Sequence, residues 1–126
     1  VKVALILPLG GTGAGASAAA SLRNAAELAL AELGSTDLTI LVKDDRGTAE
    51  GAREAANAAV AEGAELIVGP LFAPAVAAVG AVARGASKPV VAFSTDAGVA
   101  SRGVYLLSFL PQNEIDRIID YASGQG

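Results

Sequence analysis

Apolar residues arrive along this chain in two alternating rhythms. Residues 1–7 (VKVALIL) form a nearly continuous apolar run, the pattern of a strand covered on both faces. Pro8 ends it, because proline has no N–H to give a ladder. Residues 17–33 then change period. Leu22, Ala25, Ala26, Ala29, Leu30 and Leu33 make the stripe of an amphipathic helix, with Arg23, Glu27 and Glu32 on other faces and Gly34 placed to close it. The alternation repeats. Residues 38–42 (LTILV) read as a second strand. Thr48 is placed to cap a second helix that runs to about Glu62 and closes at Gly63. Residues 65–68 (ELIV) are a third strand. A third, Ala-rich helix covers about 74–84, with Pro74 in its first turn and Gly85 at its end. Residues 89–93 (PVVAF) and 104–107 (VYLL) are strands four and five, and Asn113 precedes a last helical stripe at Ile115, Ile118, Ile119 and Ala122.

Strands alternating with helices imply a parallel sheet, and right-handed crossovers leave few ways to wind it. The expected fold class is α/β: a flavodoxin-like, doubly wound, parallel five-stranded sheet of order 2-1-3-4-5 in a three-layer αβα sandwich, one lobe over residues 1–126. The Ala-rich helices are expected to lie close to the sheet, since a methyl group is short.

Composition narrows the function. The chain has no Cys and no His, which removes thiol nucleophiles, imidazole bases and Cys/His zinc sites. Its net charge of −4 argues against sequence-independent nucleic-acid binding, and its nine Lys and Arg are scattered with no patch legible in the sequence. No apolar run reaches the roughly 20 residues of a membrane-spanning helix.

In open α/β sheets, ligands bind at the carboxyl ends of the strands. Those ends are residues 8–15, 44–47, 69–73, 94–98 and 108–111, all bearing Gly, Pro, acidic or hydroxyl residues; the opposite loops read as short helix stops. The first is the most unusual. LPLGGTGAGASAAA places Gly10, Gly11, Gly13 and Gly15 within six positions. Gly11 to Ala16 formally spells the G-x-G-x-x-A of dinucleotide-binding loops. Pro8 and Leu9 stand between strand and glycines, and Asp44 and Asp45 lie about 30 residues beyond the loop where about 20 is the rule. A nucleotide- or flavin-binding enzyme domain using this loop, and a Gly-rich turn with no ligand, both stay open. Asp44 and Asp45 read as solvated carboxylates near a helix start rather than as a metal pair. Ser94-Thr95-Asp96 lacks a neighbouring base for nucleophilic chemistry, which leaves ligand hydrogen bonding or turn capping. Phe72 reads equally as a lid over a ligand or as a contact for a partner.

The stretches VKVALILPLGGTGAGASAAASLRNAAELALAEL, LVKDDRGTAEGAREAANAAVAEGAELIVGPLFAPAV, PVVAFSTDAGVA and LSFLPQNEIDRIIDYASGQG resemble the N-terminal lobe of type I periplasmic binding proteins. That broad group includes leucine/isoleucine/valine binders; the nearer likeness is to penicillin-binding protein activators of alphaproteobacteria. The resemblance implies a non-enzymatic module without a cofactor, in which two lobes enclose a small polar ligand. Carried onto this chain, it assigns ligand contact to Gly10, Gly11 and Thr12, to Leu71, Phe72 and Ala73, and to Ser94 and Thr95. Amino-acid binders place hydroxyl residues where this chain has Phe72 and Ala73, a departure that points away from an amino acid. Activators are outer-membrane lipoproteins facing the periplasm that stimulate a peptidoglycan synthase by contact. The resemblance also implies a second lobe beyond Gly126. The chain is therefore expected to be an isolated lobe, excised or engineered (in the limit a single-lobe scaffold with no ligand). Its partner surface near Phe72 and residues 109–111 would face that second lobe or another copy in a homodimer.

Overall fold

The computed structural model describes residues 1–11, 13–34, 37–94, 96, 98 and 100–107. Within them the elements are β1 (Lys2–Leu7), α1 (Ala14–Leu33), β2 (Thr39–Asp44), α2 (Ala49–Ala61), β3 (Leu66–Val68), α3 (Ala73–Gly85), β4 (Val90–Ala92) and β5 (Val104–Leu106). All strand pairs are parallel, and the sheet order is β2-β1-β3-β4-β5, as expected from the sequence. The predicted last helix, residues 109–111, Thr12 and Thr95 lie outside the described residues.

β1 sits between β2 and β3, and this position explains its composition. Ala4, Leu5, Ile6 and Leu7 are all buried, alternate residues serving opposite faces. Ala4 and Ile6 join Ile67, Val90, Ala92 and Val104 beneath α2 and α3. Leu5 and Leu7 join Ile40, Val68 and Phe93 beneath Ala19, Leu22 and Ala26 of α1. The sheet therefore carries α1 on one face and α2 with α3 on the other. On the inner sides of α2 and α3 the buried residues are mostly Ala, including Ala52, Ala55, Ala56, Ala59, Ala75, Ala78 and Ala83. Short side chains let these helices lie close to the sheet, so packing density replaces side-chain bulk.

Several boundaries shift for tertiary reasons. β2 continues through Lys43 and Asp44 because they pair with Ile6 and Leu7 of β1. α1 begins at Ala14, three residues before the segment 17–33 expected from the sequence, with Gly13 at the N-cap in a positive-φ conformation. Gly85 is still helical, and Ala86 is the C-cap of α3. Thr48 caps α2 as expected, its Oγ1 accepting the Gly51 N–H at 3.0 Å. On the α1 face of the outer strand β5, Tyr105 continues the row of Val68 and Val91. Tyr105 and Leu107 are each 63% exposed.

Candidate functional site

The loops at the carboxyl ends of the strands are tied to one another by backbone geometry. After β1, the Leu9 N–H donates to the Leu7 carbonyl (2.9 Å) and to Asp44 Oδ1 (3.0 Å). The same Oδ1 accepts the Arg46 N–H at 2.8 Å. Asp44 thus clamps the first loop to the second. Gly10 lies against this carboxylate so closely that a Cβ there would overlap Asp44 Oδ2. Farther along the edge, the Phe93 N–H donates to the Pro70 carbonyl at 3.0 Å, joining the loops after β3 and β4.

Phe72 is the N-cap residue of α3, in an extended conformation and 42% exposed. Its ring reaches the first turn of α1, where a Cβ on Gly15 would lie 2.7 Å from Cζ. Among the described residues neither α1 nor α3 has a side-chain cap on its N-terminus, and α1 has no acidic residue in its first turn. First-turn N–H groups of such helices have no partner inside the helix. The edge therefore presents an aromatic ring next to uncapped amide donors, a pairing suited to a small anion with an apolar body.

Of the residues assigned to ligand contact, Gly10 and Gly11 are exposed, Leu71 and Ala73 are half-buried, and Phe72 stands over Gly15. Ser94 is only 4% exposed, and its Oγ accepts the Asp96 N–H at 3.1 Å. The structure thus joins Phe72 to the glycine-rich loop and sinks Ser94 below the surface of the edge. Two glycines of that loop have steric roles: Gly10 admits the Asp44 carboxylate and Gly15 admits the Phe72 ring. Nothing in the local sequence signals either contact, since each partner lies on a different βα unit.

The reading of Asp45 as a solvated carboxylate is corrected. Asp44 is exposed, but Asp45 is fully buried. Its N–H donates to the Leu7 carbonyl at 3.0 Å, drawing it under the sheet edge. Oδ1 accepts the Gly47 N–H at 2.7 Å, while Oδ2 has no hydrogen-bond partner among the described residues. Burial raises the Asp45 pKa above the ordinary carboxylate value; the Gly47 N–H opposes the rise and the Asp44 charge adds to it. With one acid outside and one inside, the two do not act as a metal pair. Among the described residues no group of three or more acidic side chains is placed to hold a metal ion. No described helix is long and apolar enough to cross a membrane.

The topology and this edge define one lobe of a periplasmic-binding-protein fold. Residues 1–126 match the family model described as periplasmic binding protein, and the chain belongs to that family. Among solved structures, it is similar to the leucine-binding protein LivK of Thermotoga maritima, with 24% identity over 87% of this chain and 33% of the other, TM-score 0.77. It is also similar to a branched-chain amino acid transporter protein of Rhodopseudomonas palustris, with 21% identity over 85% of this chain and 32% of the other, TM-score 0.74. LivJ of Streptococcus pneumoniae, in complex with isoleucine, matches at 22% identity over 86% of this chain and 33% of its own, TM-score 0.71. The chain therefore spans about one third of the length of these proteins. None of the curated proteins compared with the chain matches it.

Proposed function

We propose that this chain forms one wall of a periplasmic solute-binding cleft and that the solute is a small carboxylate with an apolar, preferably aromatic, body. The observation that carries the reading is the Phe72 ring seated on Gly15 beside the uncapped start of α1. The N–H groups are suited to the carboxylate, and the ring offers a face for stacking. Similar structures include Rhodopseudomonas palustris solute-binding proteins in complex with 3,4-dihydroxybenzoic acid, 4-hydroxybenzoate and benzoate. Phe72 at a position where amino-acid binders carry a hydroxyl favours such acids over isoleucine. Thr12 and Thr95 join Gly10, Gly11, Leu71, Ala73 and Ser94 as further contacts in this reading.

A formed site encloses about 70–90% of a small ligand, and one wall encloses less, so binding to this chain alone is expected to be weak. Titration with benzoate and with isoleucine, followed by amide chemical shifts, tests the proposal. Benzoate is expected to move the signals of Gly11, Gly13, Gly15 and Phe72 at lower concentration than isoleucine. No movement at this edge with either compound overturns it.

The likeness to penicillin-binding protein activators supports a second reading, in which the exposed part of Phe72 meets a protein. The partner is then a peptidoglycan synthase, the facing lobe or a second copy of the chain, and the parent protein is an outer-membrane lipoprotein. Sedimentation of wild type and Phe72→Ala, alone and with a purified synthase, separates the two. Association lost in Phe72→Ala, without a benzoate response, selects contact over solute binding.

A further inference from the structure

A concavity lies at the other edge of the sheet. A cavity of about 500 Å³ opens between the last turn of α3 and the chain entering β5, lined by Arg84, Ser87, Lys88 and Arg102 over a floor that includes Gly80 and Val104. A Cβ on Gly80 would lie 3.0 Å from Val104 Cγ2, so the glycine lets α3 approach β5 closely and leaves the cavity without a filling side chain. The sequence shows its basic residues as scattered, yet three of them line this one cavity. The turn after α3 places Lys88, and the turn before β5 places Arg102, along the same cavity as Arg84.

Cations near the end of a helix often serve only to complement its dipole. That explanation is insufficient here. The Val82 and Ala83 carbonyls accept the Ala86 N–H, Ala83 also accepts the Lys88 N–H at 2.8 Å, and Arg84 accepts the Ser87 N–H at 3.1 Å. Three carbonyls of the last turn, those of Val82, Ala83 and Arg84, thus already accept backbone donors, and Arg102 lies outside the helix. Arg84 Nη2 donates to Ser101 Oγ at 2.8 Å, which ties its guanidinium to the turn before β5. None of the three cations forms an ion pair among the described residues, whereas Arg23, Lys43 and Arg46 do, and no described acid lines the cavity. In a chain of net charge −4, a positive cluster with no ion pair among the described residues concentrates the local field along a concave wall.

We propose that this cavity binds a small soluble polyanion carrying at least two negative charges on carboxylate or phosphate groups. Its volume lies within the usual range of about 300–1,000 Å³ for small-molecule sites. Arg84 and Arg102 supply planar forks and Lys88 a point charge, a donor set matched to such oxygens. Concavity favours a compact ligand over a flat macromolecular surface. The site lies opposite the carboxylate-facing edge and does not rest on that reading.

The test titrates the chain with pyrophosphate and citrate, following amide chemical shifts, in parallel with sedimentation against phosphatidylglycerol vesicles. Lys88→Gln and Arg102→Gln are compared with Arg53→Gln, an exposed cation on α2, after thermal melts confirm folding. At least one soluble probe is expected to shift residues 84–88 and 101–104. Lys88→Gln and Arg102→Gln are each expected to weaken that binding roughly tenfold, with Arg53→Gln near wild type. The proposal is overturned by no shift with either probe, equal loss in Arg53→Gln, or binding to vesicles alone.

Discussion

The ring of Phe72 rests on the first turn of α1 at Gly15, where a Cβ would stand 2.7 Å from Cζ and 3.3 Å from Cε2. This contact couples the start of α3 to the start of α1. Replacing Gly15 by Ala removes a helix-weakening residue, a gain of about 0.5–1 kcal/mol, but forces the ring from its position at about 0.5–1.5 kcal/mol. Gly15→Ala is therefore expected to be near neutral or destabilising in the wild-type chain. In a Phe72→Ala background only the gain remains. A denaturant double-mutant cycle should report a coupling of about 1 kcal/mol, and additivity would contradict the contact.

Asp45 makes stability depend on pH. Its folded-state pKa is raised, chiefly by burial, above the ordinary value of 3.8. The folded state thus holds the proton more tightly than the unfolded chain. The associated stability is fully present below the ordinary value and is lost as pH rises through the folded-state pKa. Melting temperatures of wild type and Asp45→Asn, measured from acid to neutral pH, should diverge accordingly. Wild type loses stability relative to the variant as pH rises above 3.8. A constant difference would show that Asp45 is not proton-linked to folding.

Thr48 anchors α2 through the 3.0 Å bond from the Gly51 N–H to its Oγ1. Thr48→Ala is expected to lower unfolding free energy by about 1 kcal/mol, with Thr48→Ser retaining most of it. Chemical denaturation of the two variants checks this.

Gly69 follows β3 with φ +101°, and a Cβ there would overlap the Ile6 carbonyl of the neighbouring interior strand β1. That strand is held on both sides and cannot move aside. Gly69→Ala is expected to cost at least about 3 kcal/mol, or to prevent cooperative folding, as read from denaturant melts.

The succession of strands and helices was determined by the sequence alone, because hydrophobic period is a local property. The run of residues 1–7 marks a strand buried on both faces, and the stripe from Leu22 to Leu33 marks a helix, although only Leu22, Ala26 and Leu30 of that stripe are half-buried while Ala25, Ala29 and Leu33 are exposed. Sheet order followed from the alternation and the handedness of crossovers. What the chain brings together across the sheet was decided only by tertiary structure. Asp44 and Asp45 are adjacent in sequence, yet one is exposed and the other buried, because the Asp45 N–H is drawn to the Leu7 carbonyl. Gly15 meets Phe72, and Arg84 and Lys88 come to line one cavity with Arg102, only after separate βα units have packed side by side. Such contacts join residues distant in sequence and leave no periodic trace, so their chemistry becomes visible only when the sheet sets its edges in register.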